Sequence, residues 1–155
     1  MILDRENAIE LVGELKKNGK KVVFTNGCFD ILHVGHLRYL EEAKNQGDVL
    51  IVGINSDTSV RQLKGSTRPI NGEMDRAEII DGLKPVNFVV IFNELTPIEI
   101  LDELKPSIHV KGGDYTKDQL PETEIVEKNN GEVRILPFIE GKSTTTIVNK
   151  IKSDK

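Results

Sequence analysis

Lys21-Val22-Val23-Phe24-Thr25 runs directly into Asn26-Gly27-Cys28-Phe29-Asp30-Ile31-Leu32-His33-Val34-Gly35-His36. The apolar run reads as a buried strand, the Asn26-Gly27 step as a turn, and Gly35–Lys44 as a helix that stops at Gln46-Gly47. Such a strand-turn-helix unit aims backbone N–H groups and the positive end of a helix dipole at one point, which suits a polyphosphate. His33 and His36 stand three residues apart, so a helix starting near Leu32 puts both imidazoles on one face within a turn.

Outward from this unit the chain repeats the alternation. Asp4 is a plausible N-cap for a helix carrying Ala8, Leu11, Val12 and Leu15, closed by Asn18-Gly19. Val49–Ile54 is a continuous apolar run, as expected of a strand covered on both faces. Asp57–Leu63 reads as a short helix, Lys64–Asn71 as a polar, mobile loop, and Glu73–Leu83 as a helix ending before Pro85. Phe88–Phe92, Ser107–Val110 and Glu132–Leu136 complete five strands. Between them, Thr96-Pro97 opens a helix through Leu104, Gln119–Asn129 is a weaker one, and Ser143–Lys152 is the last.

Strands alternating with helices imply an α/β fold. The expectation is a single Rossmann-like domain over 1–155, with its core over 21–151 and an N-terminal helix over about 4–18. Its five-stranded, mostly parallel sheet would carry helices on both faces. In such sheets ligands bind beyond the carboxyl ends of the strands, where the strand order reverses. Asn26-Gly27, Asn55-Ser56-Asp57, Lys111-Gly112-Gly113 and Gly141–Thr145 all fall just after strands, so four loops converge on one edge.

Lysine and arginine number 21 against 25 acids, a net charge of −4, which argues against a nucleic-acid binder that would need a basic face. One cysteine forms no intramolecular disulfide and points to a reducing, cytoplasmic setting. No apolar run approaches the roughly 20 residues of a membrane span, and Met1–Glu6 lacks a signal-peptide layout. No membrane and no nucleic acid are expected as partners.

Several residues keep a structural reading beside the functional one. The two histidines could be helix caps or half of a metal pair, although zinc wants at least three protein ligands and only His109 and Cys28 remain. His109 lies inside an apolar strand and suits the core. Gly27 permits close backbone approach to a ligand or makes a plain turn. Asp30 is a candidate cap for the histidine helix, Phe29 a core residue, and Cys28 a thiol with no base beside it. Ser143-Thr144-Thr145 could hold phosphate oxygens at a helix start or simply cap it. Asp57 is either a cap or a ligand for nucleotide and magnesium. Lys64, Arg68 and Arg76 are either solvated charges or the cations that a pair of anionic substrates needs.

The same residues carry a family resemblance. His33-Val34-Gly35-His36 resembles the HxGH motif of the nucleotidyltransferase superfamily, and Gly27-Cys28-Phe29-Asp30 the G-x-F-D element of its cytidylyltransferase branch. Gly53-Ile54-Asn55-Ser56-Asp57, Lys111-Gly112-Gly113-Asp114-Tyr115 and Gly141-Lys142-Ser143-Thr144-Thr145 resemble later elements of that branch. Arg61–Gly65, Arg68–Asn71 and Lys111–Tyr115 bring it near the D-glycero-D-manno-heptose 1-phosphate adenylyltransferases. Phe138, Ile139 and Lys142 depart from the cytidylyltransferase pattern R-T-x-G-I-S-T, which weakens CTP and favours ATP.

The resemblance implies transfer of AMP from ATP to a sugar 1-phosphate, with Mg²⁺ carried by the triphosphate rather than by protein ligands. His33, His36 and Lys44 would be catalytic, Lys44 otherwise being an exposed helix-end cation. Thr25, Asn26, Gly27, Cys28, Phe29, Gly35, Asn55, Asp57, Ser143, Thr144 and Thr145 would meet the nucleotide and its phosphates. Asp30, Lys64, Arg68, Arg76, Lys111, Gly112, Gly113 and Asp114 would meet the second substrate. Relatives suggest a homo-oligomer, commonly a dimer. The alternatives are a CTP-dependent glycerol-3-phosphate cytidylyltransferase and a nucleotide-binding module without turnover.

Overall fold

A computed structural model describes residues 1–137 and 143–153. Its strands are β1 (Ile2–Leu3), β2 (Val22–Gly27), β3 (Val49–Asn55), β4 (Phe88–Phe92), β5 (Ile108–Gly112) and β6 (Glu132–Leu136). Its helices are α1 (Arg5–Lys17), α2 (Val34–Asn45), α3 (Asp57–Lys64), α4 (Glu73–Asp81), α5 (Ile98–Leu104), α6 (Thr123–Lys128) and α7 (Thr144–Ser153). They form one parallel sheet in the order β1-β4-β3-β2-β5-β6.

Period-two alternation divides the strands between two apolar layers. Val22 and Phe24 of β2, Ile51 of β3 and Val90 of β4 face one layer, closed by Ala8 and Val12 of α1 and Ile100, Leu101 and Leu104 of α5. Val23, Leu50, Val52 and Val89 face the other, closed by Leu40 and Ala43 of α2 and Ala77 and Ile80 of α4. Truncating one such residue, Leu40 or Ile80, to alanine removes about 2–5 kcal/mol.

The sheet has six strands where the sequence leads to an expectation of five. The addition is β1, whose two residues pair with the free edge of β4 (Ile2 with Val89, Leu3 with Val90). Val89 N–H donates to Met1 O at 3.0 Å, and the terminal ammonium bonds Asp81. A strand of two residues is too short to show any period, so only the neighbouring edge selects it. The sheet is also parallel at every described pairing rather than mostly so.

Strand order runs one way from β2 through β3 to β4 and the other way through β5 to β6. The crevice at this reversal lies between the carboxyl ends of β2 and β5, at Asn26-Gly27 and Lys111-Gly112. None of the described helices is long and apolar enough to cross a membrane. Phe138, Ile139, Gly141 and Lys142, which carry part of the ATP-over-CTP expectation, lie outside the described residues.

Candidate active site

A cleft of about 660 Å³ opens at that crevice, within the ~300–1,000 Å³ usual for small-molecule sites. The end of β2 and the turn after it supply Asn26, Gly27, Cys28, Phe29 and Asp30, and the start of α2 supplies His33, Gly35 and His36. Lys64 enters from the end of α3, Lys111 and Gly112 from β5, and Ser143 and Thr144 from the start of α7. Among the described lining residues, Lys64 and Lys111 bring positive charge to the cleft of an acidic protein. Asp30, the acid among its described lining residues, is an ionised carboxylate held by two backbone N–H groups and paired with Arg68.

The histidine pair is set by its own backbone. His33 is the N-cap of α2, where its Nδ1 accepts from Gly35 N–H at 3.0 Å. His36 sits at the third helical position, and its Nδ1 accepts from His33 N–H at 3.3 Å. The two rings lie 4.0 Å apart at 32°. An Nδ1 that accepts is unprotonated, so each neutral ring carries its proton on Nε2. Burial first, then the neighbouring His33 and Lys64, pushes the His36 imidazole down to about 4. His36 is therefore neutral near pH 7.

The helix cap expected of Asp30 thus belongs to His33. The Asp30 carboxylate, buried, instead accepts from Ile70 N–H and Asn71 N–H at 2.8 Å each. Arg68 Nη1 approaches it at 3.4 Å, and Asn71 Nδ2 donates to Asp30 O at 2.8 Å. Burial alone would raise this carboxyl, but those backbone donors and Arg68 hold it below the ordinary value. The loop expected to move freely over 64–71 is anchored at its far end by this acid.

Arg76 is corrected in the same way. Expected to meet substrate, it is 1% exposed, with its guanidinium spent inside the protein. Nε donates to Asn71 O at 2.8 Å, Nη1 to Cys28 O at 2.8 Å and Asn55 O at 2.7 Å, and Nη2 to Asp57 Oδ1 at 2.8 Å. Asp57 is therefore an ion-pair partner rather than a cap, since the N-cap of α3 is Ser56. Asn55 is buried, its Nδ2 donating to Ser59 Oγ.

Lys44 stands in the last turn of α2, at the opposite end from the histidines, and donates to Asn87 Oδ1 at 2.8 Å. Asn87 Oδ1 also accepts from Leu50 N–H near the start of β3, so Lys44 belongs to the amino edge of the sheet. The catalytic role expected of it is withdrawn on that geometry. Thr25 is fully buried, its hydroxyl 2.7 Å from Tyr39 OH and donating to Val110 O at 2.9 Å. Gly113 is buried at φ +128, a turn that glycine makes without strain, and its N–H donates to Leu136 O. Asp114 beyond it is exposed, as is Thr145. Neither lines the cleft; nor does Arg68.

Among the described lining residues, Tyr39, Pro137 and Thr146 were not expected from the sequence. Tyr39 stands three residues after His36, a helical spacing that could have revealed it. Burial pushes its phenol up to about 12. Thr146 stands three after Ser143, and its N–H donates to Ser143 Oγ at 3.0 Å, so Ser143 caps α7. Thr144 Oγ1 donates to Ile31 O at 3.1 Å and ties α7 to the histidine loop. Burial raises the Cys28 thiol, against the pull of Lys64 and Arg76, so it is no activated nucleophile. No three His, Cys, Asp or Glu side chains converge as a metal cage among the described residues.

A family model described as cytidylyltransferase-like matches residues 24–150. "Bifunctional protein HldE" of Geotalea uraniireducens is 53% identical over 138 residues, which is 89% of this chain and 28% of that protein. The protein of the same name from Nitratiruptor sp. is 54% identical over 146 residues, covering 94% of this chain and 31% of the relative. The chain thus spans less than a third of these curated relatives. Among solved structures, the lipopolysaccharide core biosynthesis protein of Thermoplasma volcanium is 30% identical with a TM-score of 0.65, covering 80% of this chain and 100% of that one. Pantoate-beta-alanine ligase of Francisella tularensis, solved with Beta-gamma ATP and beta-alanine, covers 99% of this chain and 78% of its own at a TM-score of 0.60. At 18% identity it speaks for the fold alone. The match over 24–150 and the parallel sheet with its histidine-bearing crevice agree, and the chain belongs to the cytidylyltransferase-like family.

Proposed function

We propose that this chain transfers AMP from ATP to D-glycero-D-manno-heptose 1-phosphate, giving ADP-heptose and pyrophosphate. The observation that carries the chemistry is the histidine pair, with each Nδ1 engaged by a backbone N–H beside Lys64 and Lys111. The substrate rests on the resemblance of Arg61–Gly65, Arg68–Asn71 and Lys111–Tyr115 to heptose 1-phosphate adenylyltransferases. It is supported by relatives named for HldE and for lipopolysaccharide core biosynthesis.

An oxygen of the sugar phosphate attacks the α-phosphorus in line. The new P–O bond forms as the bond to the β-phosphoryl bridging oxygen breaks, and that oxygen leaves with the electron pair as part of pyrophosphate. No protein nucleophile takes part. Charge grows on the non-bridging oxygens, and the Nε2–H groups of His33 and His36 meet it as donors held in place beforehand. Lys64 and Lys111 balance the phosphates, and the start of α7 with Ser143 and Thr144 receives the rest of the chain of anions. A divalent ion such as magnesium, when bound with the triphosphate, would offset part of its charge.

His36→Ala tests this reading. Wild-type protein should release pyrophosphate from ATP with heptose 1-phosphate. The variant should lose about 10²–10³ in kcat, as when one preorganised donor is removed. ATP affinity should change far less. Wild-type turnover in His36→Ala would overturn the assignment.

A further inference from the structure

Phe29 is one of three described non-glycine residues with positive φ, at 49°, and the one of the three that lines the cleft. Strained backbone of this kind persists only where its surroundings over-determine it, and it gathers at functional sites. Here the clamps stand on both sides. Buried Arg76 holds Cys28 O, while Asn71 Nδ2 holds Asp30 O and the Asp30 carboxylate takes two backbone N–H groups. The left-handed turn swings the phenyl ring back over Gly27, where a Cβ would come within 2.9 Å of its Cε2. The ring meets His36 edge-on, with centroids 5.5 Å apart at 66°.

We propose that Phe29 is a positioning residue for the reaction: its ring, wedged between Gly27 and His36 by the clamped turn, sets the orientation of the His36 imidazole. The resemblance put Phe29 against the nucleotide, whereas the geometry gives its ring to the histidine. A ring seated there also keeps water from one side of His36. Among the described residues, the titratable groups acting on His36 are His33 at its own helix start and Lys64 at the end of α3. Loss of the phenyl removes neither of these groups.

The inference rests on His36 acting on phosphate, and its test separates the two. Phe29→Leu and the gentler Phe29→Met keep an apolar side chain of similar size. Each is checked for folding by thermal melting, for kcat and KM, and for the His36 titration by NMR of ¹³C,¹⁵N-histidine-labelled protein. We expect kcat to fall by about 10- to 100-fold in Phe29→Leu, as when a catalytic group is misplaced by about an ångström. ATP KM should stay within about threefold, and the His36 titration should move up from about 4 toward the ordinary value of 6.5. Phe29→Met should follow with smaller changes. Wild-type kcat, or a wild-type His36 titration, in the folded variants overturns the proposal. If wild-type protein turns over no substrate pair, the functional reading fails instead, and the NMR titration still decides the ring contact.

Discussion

At the scale of the residue, the site is made by backbone groups dictating what side chains do. Gly35 N–H and His33 N–H each take an imidazole Nδ1, which fixes the tautomer before any ligand arrives. A pH dependence follows for His36. Its folded value, about 4, lies below the 6.5 of an unfolded histidine, so between these the unfolded chain binds the extra proton more readily. Stability should be full above about 6.5 and fall as pH drops through that window. His36→Asn should flatten the fall, as chemical denaturation at pH 7 and 5 would register. Asp30 has the carboxylate sense, with stability lost only at lower pH, below its ordinary 3.8. The histidines were legible because spacing and a preceding strand sufficed. Arg76 was not: its acceptors Cys28 O and Asn55 O lie 48 and 21 residues away, and nearness to a motif does not tell where a long side chain points. Arg76→Lys keeps the charge but loses the fork, and should cost about 3 kcal/mol by thermal or denaturant unfolding.

At the scale of the element, one helix separates two expectations. α2 delivers His33 and His36 at its start and Lys44 in its last turn, and at ~1.5 Å per residue those ends lie some 15 Å apart. Lys44→Met should leave kcat within about twofold and cost about 1 kcal/mol through the lost Asn87 contact, and steady-state kinetics beside a melting curve would check both. Most elements were legible from apolar periodicity and caps: Asp4 accepts from Asn7 N–H as the N-cap of α1. β1 was not, since its two residues form a strand only because β4 offers an edge. The loop after α3 read as free because it is polar and holds Gly65 and Pro69. Its anchor, Asp30, is some forty residues earlier in the chain.

At the scale of the whole molecule, a net charge of −4 surrounds a cleft whose described lining carries Lys64 and Lys111. Such a surface turns polyanions away while admitting small phosphates to one point. The reversal of strand order at β2 and β5 places that point. Of the four loops expected there, those after β2, after β5 and at the start of α7 supply described lining residues, whereas the loop after β3 does not. Asn26, Gly27, Lys111, Gly112, Ser143 and Thr144 enter the cleft, while Asn55 and Asp57 are held behind it by Ser59 and Arg76. Which sugar and which base fit is a matter of pocket shape, which no periodicity encodes. Pyrophosphate release with Mg²⁺, crossing ATP and CTP against heptose 1-phosphate and glycerol 3-phosphate, measures it directly. Turnover confined to ATP with heptose 1-phosphate is the expected result; turnover confined to CTP with glycerol 3-phosphate, or nucleotide binding with no turnover in any pair, would contradict it.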